Sequence, residues 1–173
     1  LAYFSAYGGV RALVTSPYLW IAIGITGIAF GAWSASGADW FEIVISTLPN
    51  LLGFSIGGFA IFLSIGDEQY RQVICGEDAS GKQSPYMEVA ATFMHFVAVQ
   101  VLALVLAAIA KSHPVAALHL SGSTLELLSP FAWLFRAFSY LMFVYALVLC
   151  LAAIEAIWRV ARTYDMHVSD RRN

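Results

Sequence analysis

Apolar and polar residues along this chain fall into long blocks. Residues 18–33, 41–65, 89–110 and 137–154 are almost wholly apolar and hold a single formal charge, Glu42. A helix rising 1.5 Å per residue needs about 20 apolar residues to cross a hydrocarbon layer ~30 Å thick. The pattern therefore predicts an all-α integral membrane protein with four transmembrane helices, at about residues 17–34, 40–66, 86–110 and 131–158. A loop over 67–84 and a C-terminal tail over 159–173 complete a single transmembrane domain. The spans leave no room for an independent soluble one.

The expected helix ends have recognisable chemistry. Ser16-Pro17 reads as an N-cap followed by proline at the first helical position, and Ser84-Pro85 and Ser129-Pro130 repeat it before the third and fourth spans. Asp39 with Glu42 three residues on is a capping-box pattern that opens the second. Pro49 lies inside that second block. It implies either a kinked helix or a short outer helix followed by a span from Leu51, because proline lacks a backbone donor and clashes with the preceding turn. Residues 1–14 lack the charged and apolar regions of a signal peptide. They read as an interfacial helix or as the end of an upstream span.

Composition and charge refine this picture. Of 173 residues, 60% are hydrophobic and 12% charged, where soluble chains carry about 25% charged. The net charge of −2 argues against nucleic acid as a direct partner, since phosphate binding needs a basic surface. Arg11, Arg71, Lys82, Arg159, Arg162, Arg171 and Arg172 fall on one side of the expected spans, and Lys111 alone on the other. By the positive-inside rule both termini are cytoplasmic. Trp20, Tyr86 and Trp158 then mark the inner interface, and Trp33, Trp40 and Trp133 the outer one. Cys75 and Cys150 both fall on the cytoplasmic side, so no structural disulfide is expected.

Small residues recur at helical spacing. Gly24, Gly27, Gly31 and Ser34 do so on the first span, and Gly53, Gly57, Ala60 and Ser64 on the second. Such residues let membrane helices approach closely, so both stripes are read as packing surfaces, within one chain or between chains. A unit this small has little core, which favours a symmetric homo-oligomer.

Polar groups at membrane depth are functional candidates. Glu88, Thr92 and His95, at i, i+4 and i+7, share one face of the third helix. They form either a proton or ion path, with His95 titrating, or a histidine that hydrogen-bonds a neighbouring helix. Gln100 is expected to join helices in the same way. Arg136 is expected about a turn and a half inside the outer interface, either snorkelling or paired with Glu42, Asp39 or Glu126. Glu155 and Arg159 suit an i,i+4 pair.

Three catalytic or ligand-binding readings fail. Gly53-Phe54-Ser55-Ile56-Gly57 matches the nucleophile-elbow motif, which works at a strand-to-helix turn and not inside an apolar helix. Residues 76–83, GEDASGKQ, approach a phosphate-binding loop, but carry two acids and lack the Ser or Thr after Lys82. His113, His119 and His167 have no metal-ligand spacing. No catalytic residue, metal or cofactor is expected.

Residues 48–71, LPNLLGFSIGGFAIFLSIGDEQYR, together with the four-span layout, resemble small inner-membrane proteins of bacterial anti-phage defence operons, of the type of the Kiwa membrane component. The resemblance implies a tetrameric sensor in the bacterial inner membrane that works with a cytoplasmic effector protein. It carries no residue roles. The functional expectation is a non-enzymatic homo-oligomer that couples a membrane event to a cytoplasmic partner. The acidic loop with Asp67, Glu68 and Arg71, and the basic Arg159 and Arg162, are the expected docking surface. The alternative is a small channel lined by Glu88, Thr92 and His95.

Overall fold

The computed structural model describes residues 7–35, 38–64, 84–112 and 122–170, which hold helices and no strand. The helices are α1 (Gly9–Thr15), α2 (Pro17–Ile28), α3 (Phe30–Ser34), α4 (Trp40–Ser64), α5 (Pro85–Lys111) and α6 (Gly122–Asp170). Three of them, α4, α5 and much of α6, are long and apolar enough to cross a membrane. They become four if α1 and α2 are one bent span.

The first expected span, 17–34, opens at Ser16-Pro17 as expected but is split at Ala29 into α2 and α3, and a bend precedes it. The residue before a proline is pushed to extended backbone, and Ser16 sits at φ −66°, ψ 122°. This sets α1 and α2 at 53° to one another. The Trp20 indole braces the bend by donating to the Val14 carbonyl at 2.8 Å. Ser16 makes no side-chain cap bond here, whereas the Ser84 hydroxyl accepts from the Met87 N–H at the start of α5. At the other end α2 stops at Ala29, and the Trp33 indole of α3 reaches back to the Thr26 carbonyl at 2.9 Å. With only 12 residues, α2 is about 18 Å long, too short to cross alone.

Two other expectations are corrected. The fourth helix does not open at Ser129-Pro130. It begins at Gly122, carries Pro130 inside it and continues to Asp170, so residues 159–170 of the expected tail are helical. Its 49 residues span about 73 Å along the helix axis. A proline costs one backbone bond, and here the turns on either side hold the helix together regardless. In the second helix, α4 likewise runs unbroken through Pro49, which removes the two-helix alternative. Its capping box is not formed as expected. The Glu42 N–H donates to the Asp39 carbonyl, and the Glu42 carboxylate pairs with Lys111 at 3.0 Å.

Helix α5 lies between α4 and α6, and α2 runs along another side of α6. Aromatic stacking joins α4 to α5, with Phe62 against Phe93 and Tyr86. Small residues let α5 and α6 close up, since Ala103, Ala107, Ala146 and Ala156 are all fully buried. The described charges that bound the apolar stretches of α4, α5 and α6 fall in two tiers. Glu42, Lys111 and Arg136 mark one end of the bundle, and Glu88 and Glu155 the other, with no formal charge in residues 43–64, 89–110 or 137–154. Along α6 the tiers are 19 residues apart, about 28 Å, which matches a ~30 Å hydrocarbon layer. Helix α6 overshoots both tiers.

Candidate functional site

The most buried polar cluster joins three elements. Tyr145 of α6 is 1% exposed, and its hydroxyl lies 3.1 Å from His95 Nε2 on α5. The Tyr7 ring, ahead of α1, stacks on the His95 imidazole with centroids 4.2 Å apart. The hydroxyls of Tyr7 and Ser16 also face Tyr145. Gly8 makes this possible. It sits at φ 103°, a left-handed conformation that side chains disfavour, and a Cβ there would meet the Ala12 Cβ at 2.8 Å. The chain therefore turns at Gly8 and lays Tyr7 against the bundle. Close by, the Tyr18 hydroxyl donates to Glu155 at 2.6 Å, tying α2 to α6.

Glu88, Thr92 and His95 follow one another in order of burial. Glu88 is exposed in the first turn of α5, Thr92 is half-buried with its hydroxyl on the Glu88 carbonyl, and His95 is buried. The row ends against Tyr7 and Tyr145. The hydrogen bond between His95 and Tyr145 joins α5 to α6. Gln100, fully buried, donates to the Ser55 hydroxyl at 3.1 Å and joins α5 to α4. Ser55 in turn donates to the Leu51 carbonyl. Its hydroxyl is thus engaged at both ends, and His95 is not its partner.

Arg136 is half-buried rather than fully buried. It lies in the charged tier at the bundle end, and donates to the Ala35 carbonyl at 3.1 Å rather than to Glu42, Asp39 or Glu126. Trp33 and Trp133 meet edge to face nearby.

The glycines expected to pack do not pack within the chain. Gly24, Gly27, Gly31, Gly53 and Gly57 are exposed, and a Cβ at any of them would meet nothing within 4 Å. They face outward, opposite the buried Ala22 and Thr26 of α2 and the buried Val44, Leu48, Ser55 and Phe62 of α4. Of the expected docking residues, Asp67, Glu68 and Arg71 lie outside the described residues. Arg159 and Arg162 are exposed on the part of α6 beyond Glu155. Sequence reasoning missed Tyr7, Ser16 and Tyr145, since nothing local ties them to His95. It also passed over Asn50, a polar residue in an apolar block. No protein-family model, curated protein or solved structure matches the chain.

Proposed function

We propose that this protein is a homo-oligomeric, non-enzymatic, multi-pass protein of the bacterial inner membrane that couples an event in the membrane to a cytoplasmic effector. The single observation that carries this reading is α6. It is one continuous helix about 73 Å long, more than twice the thickness of a hydrocarbon layer, and it continues 15 residues past Glu155. A helix of that length links both faces of the membrane. A tilt or rotation at one end is therefore delivered at the other, where Arg159 and Arg162 are presented. The basic-residue partition assigns that end to the cytoplasm. In this reading residues 18–35, which run from Glu155 at one charged tier to Arg136 at the other, form the fourth span, and both termini are cytoplasmic. The resemblance of residues 48–71 to membrane components of anti-phage defence operons supports a sensor role in such a system.

The test is phage challenge of the native host with three versions of the gene: intact, deleted, and with Arg159→Glu and Arg162→Glu together. Protection by the intact gene, lost in both others while membrane levels stay equal, supports the reading. So does co-purification of a cytoplasmic protein with the intact chain alone. Equal survival in all three, or single-channel conductance from the purified protein in planar bilayers, overturns it.

A further inference from the structure

We propose that two copies of this chain join along the outward face of α4, through hydrogen bonds between their Asn50 side chains. The inference rests on the oligomeric membrane reading and deepens it by naming the interface. Helix α4 turns Phe41, Val44, Leu48, Ser55 and Phe62 inward. On the opposite side Ser46, Thr47, Asn50, Gly53 and Gly57 are all exposed. Asn50 lies eight residues after Glu42, about 12 Å from the charged tier and so near the middle of a ~30 Å hydrocarbon layer.

Polar groups at that depth need partners, and this face lacks them. An asparagine amide carries two donors and an acceptor oxygen with two lone pairs. Among the described residues its one contact is Nδ2 to the Ser46 carbonyl at 3.5 Å, the outer limit of a hydrogen bond. The Ser46 hydroxyl already donates to the Ile43 carbonyl. Lipid tails satisfy none of these groups, and leaving them bare is costly.

A second copy satisfies them, because an amide brought against its symmetry mate offers a donor for each acceptor. Asparagine and glutamine side chains bond across membrane helices in this way. Gly53 and Gly57, one and two turns on, leave room for the backbones to approach. A water-filled pore would also hydrate Asn50. The same face, however, carries Ile43, Phe54 and Ile61, which are 59%, 81% and 64% exposed, and these suit a helix partner and not a water column.

The experiment uses the full-length chain in a Cys75→Ser, Cys150→Ala background. Oligomer mass is measured in mild detergent by sedimentation, with helicity by circular dichroism. Asn50→Leu is expected to weaken association at least tenfold with helicity unchanged, and Asn50→Gln to restore it. Asn50→Cys is expected to form a disulfide-linked dimer on mild oxidation in native membranes, a readout that survives if Asn50→Leu fails to fold. An Asn50→Leu chain of unchanged mass, with no cross-link at Asn50→Cys, overturns this interface and leaves the oligomer reading standing. Modification of Asn50→Cys by a charged, water-soluble thiol reagent without cross-linking also overturns it, in favour of a water-lined face. A parent chain that is monomeric overturns both.

Discussion

At the residue scale, burial decides which polar side chains matter to the fold. His95 and Tyr145 make one hydrogen bond in a setting without water, and such bonds between membrane helices average about 0.6 kcal/mol. Tyr145→Phe should therefore lower stability by less than about 2 kcal/mol, while His95→Ala, which also removes the ring beneath Tyr7, should cost about 2 kcal/mol or more. Reversible unfolding in mixed micelles measures both. Equal losses would mean that the stacked ring contributes nothing. The glycines divide in the same manner. Gly8→Ala forces a side chain into a left-handed turn and against Ala12, so it should release Tyr7 from the bundle. Gly27→Leu meets open space and should leave the monomer's unfolding midpoint unchanged. A midpoint that falls for Gly27→Leu in the monomer contradicts an outward-facing α2 glycine run. Nothing in the local sequence separates these cases. A glycine repeat looks the same whether the neighbouring backbone comes from this chain or from another.

At the element scale, prolines in matching Ser-Pro contexts do different things. Ser16-Pro17 ends α1 and opens α2, Ser84-Pro85 opens α5, and Ser129-Pro130 is absorbed within α6. The difference lies in what surrounds the freed backbone and not in the dipeptide. Pro17→Ala removes the steric rule that holds Ser16 extended. It should straighten the elbow and separate Tyr7 from His95, which a distance measurement between spin labels at the exposed Val10 and Ser112 would report as a lengthened, broader distribution. An unchanged distribution would place the cause of the bend in the packing of Tyr7 and Tyr18. The Lys111–Glu42 pair is half-exposed at the bundle end, so it holds α4 to α5 by at most about 1 kcal/mol. Glu42→Lys should cost no more than that, and the double swap with Lys111→Glu should recover most of it, with a difference that shrinks in high salt.

At the scale of the whole molecule, orientation is the claim that organises the rest. Cysteines placed at Ser36 and Ser121 should react with an impermeant maleimide in intact cells, and one at Ser80 should not. The opposite pattern would put the Arg159 end of α6 outside and remove it as a cytoplasmic docking surface. The apolar blocks alone determined that this chain is helical, that α4 and α5 are long enough to cross a bilayer, and where their charged ends fall. Hydrophobic length and charge are properties of consecutive residues, so a sequence carries them directly. Only the tertiary structure decided that the first block breaks at Ala29 and is preceded by a bend, that α6 continues past both charged tiers, and that Arg136 reaches the Ala35 carbonyl. Only it joined His95 to Tyr7 and Tyr145, and turned the glycines and Asn50 outward. Each of those outcomes depends on which face of a helix meets which neighbour. That is set by contacts between residues distant along the chain, and by the depth at which the helices cross.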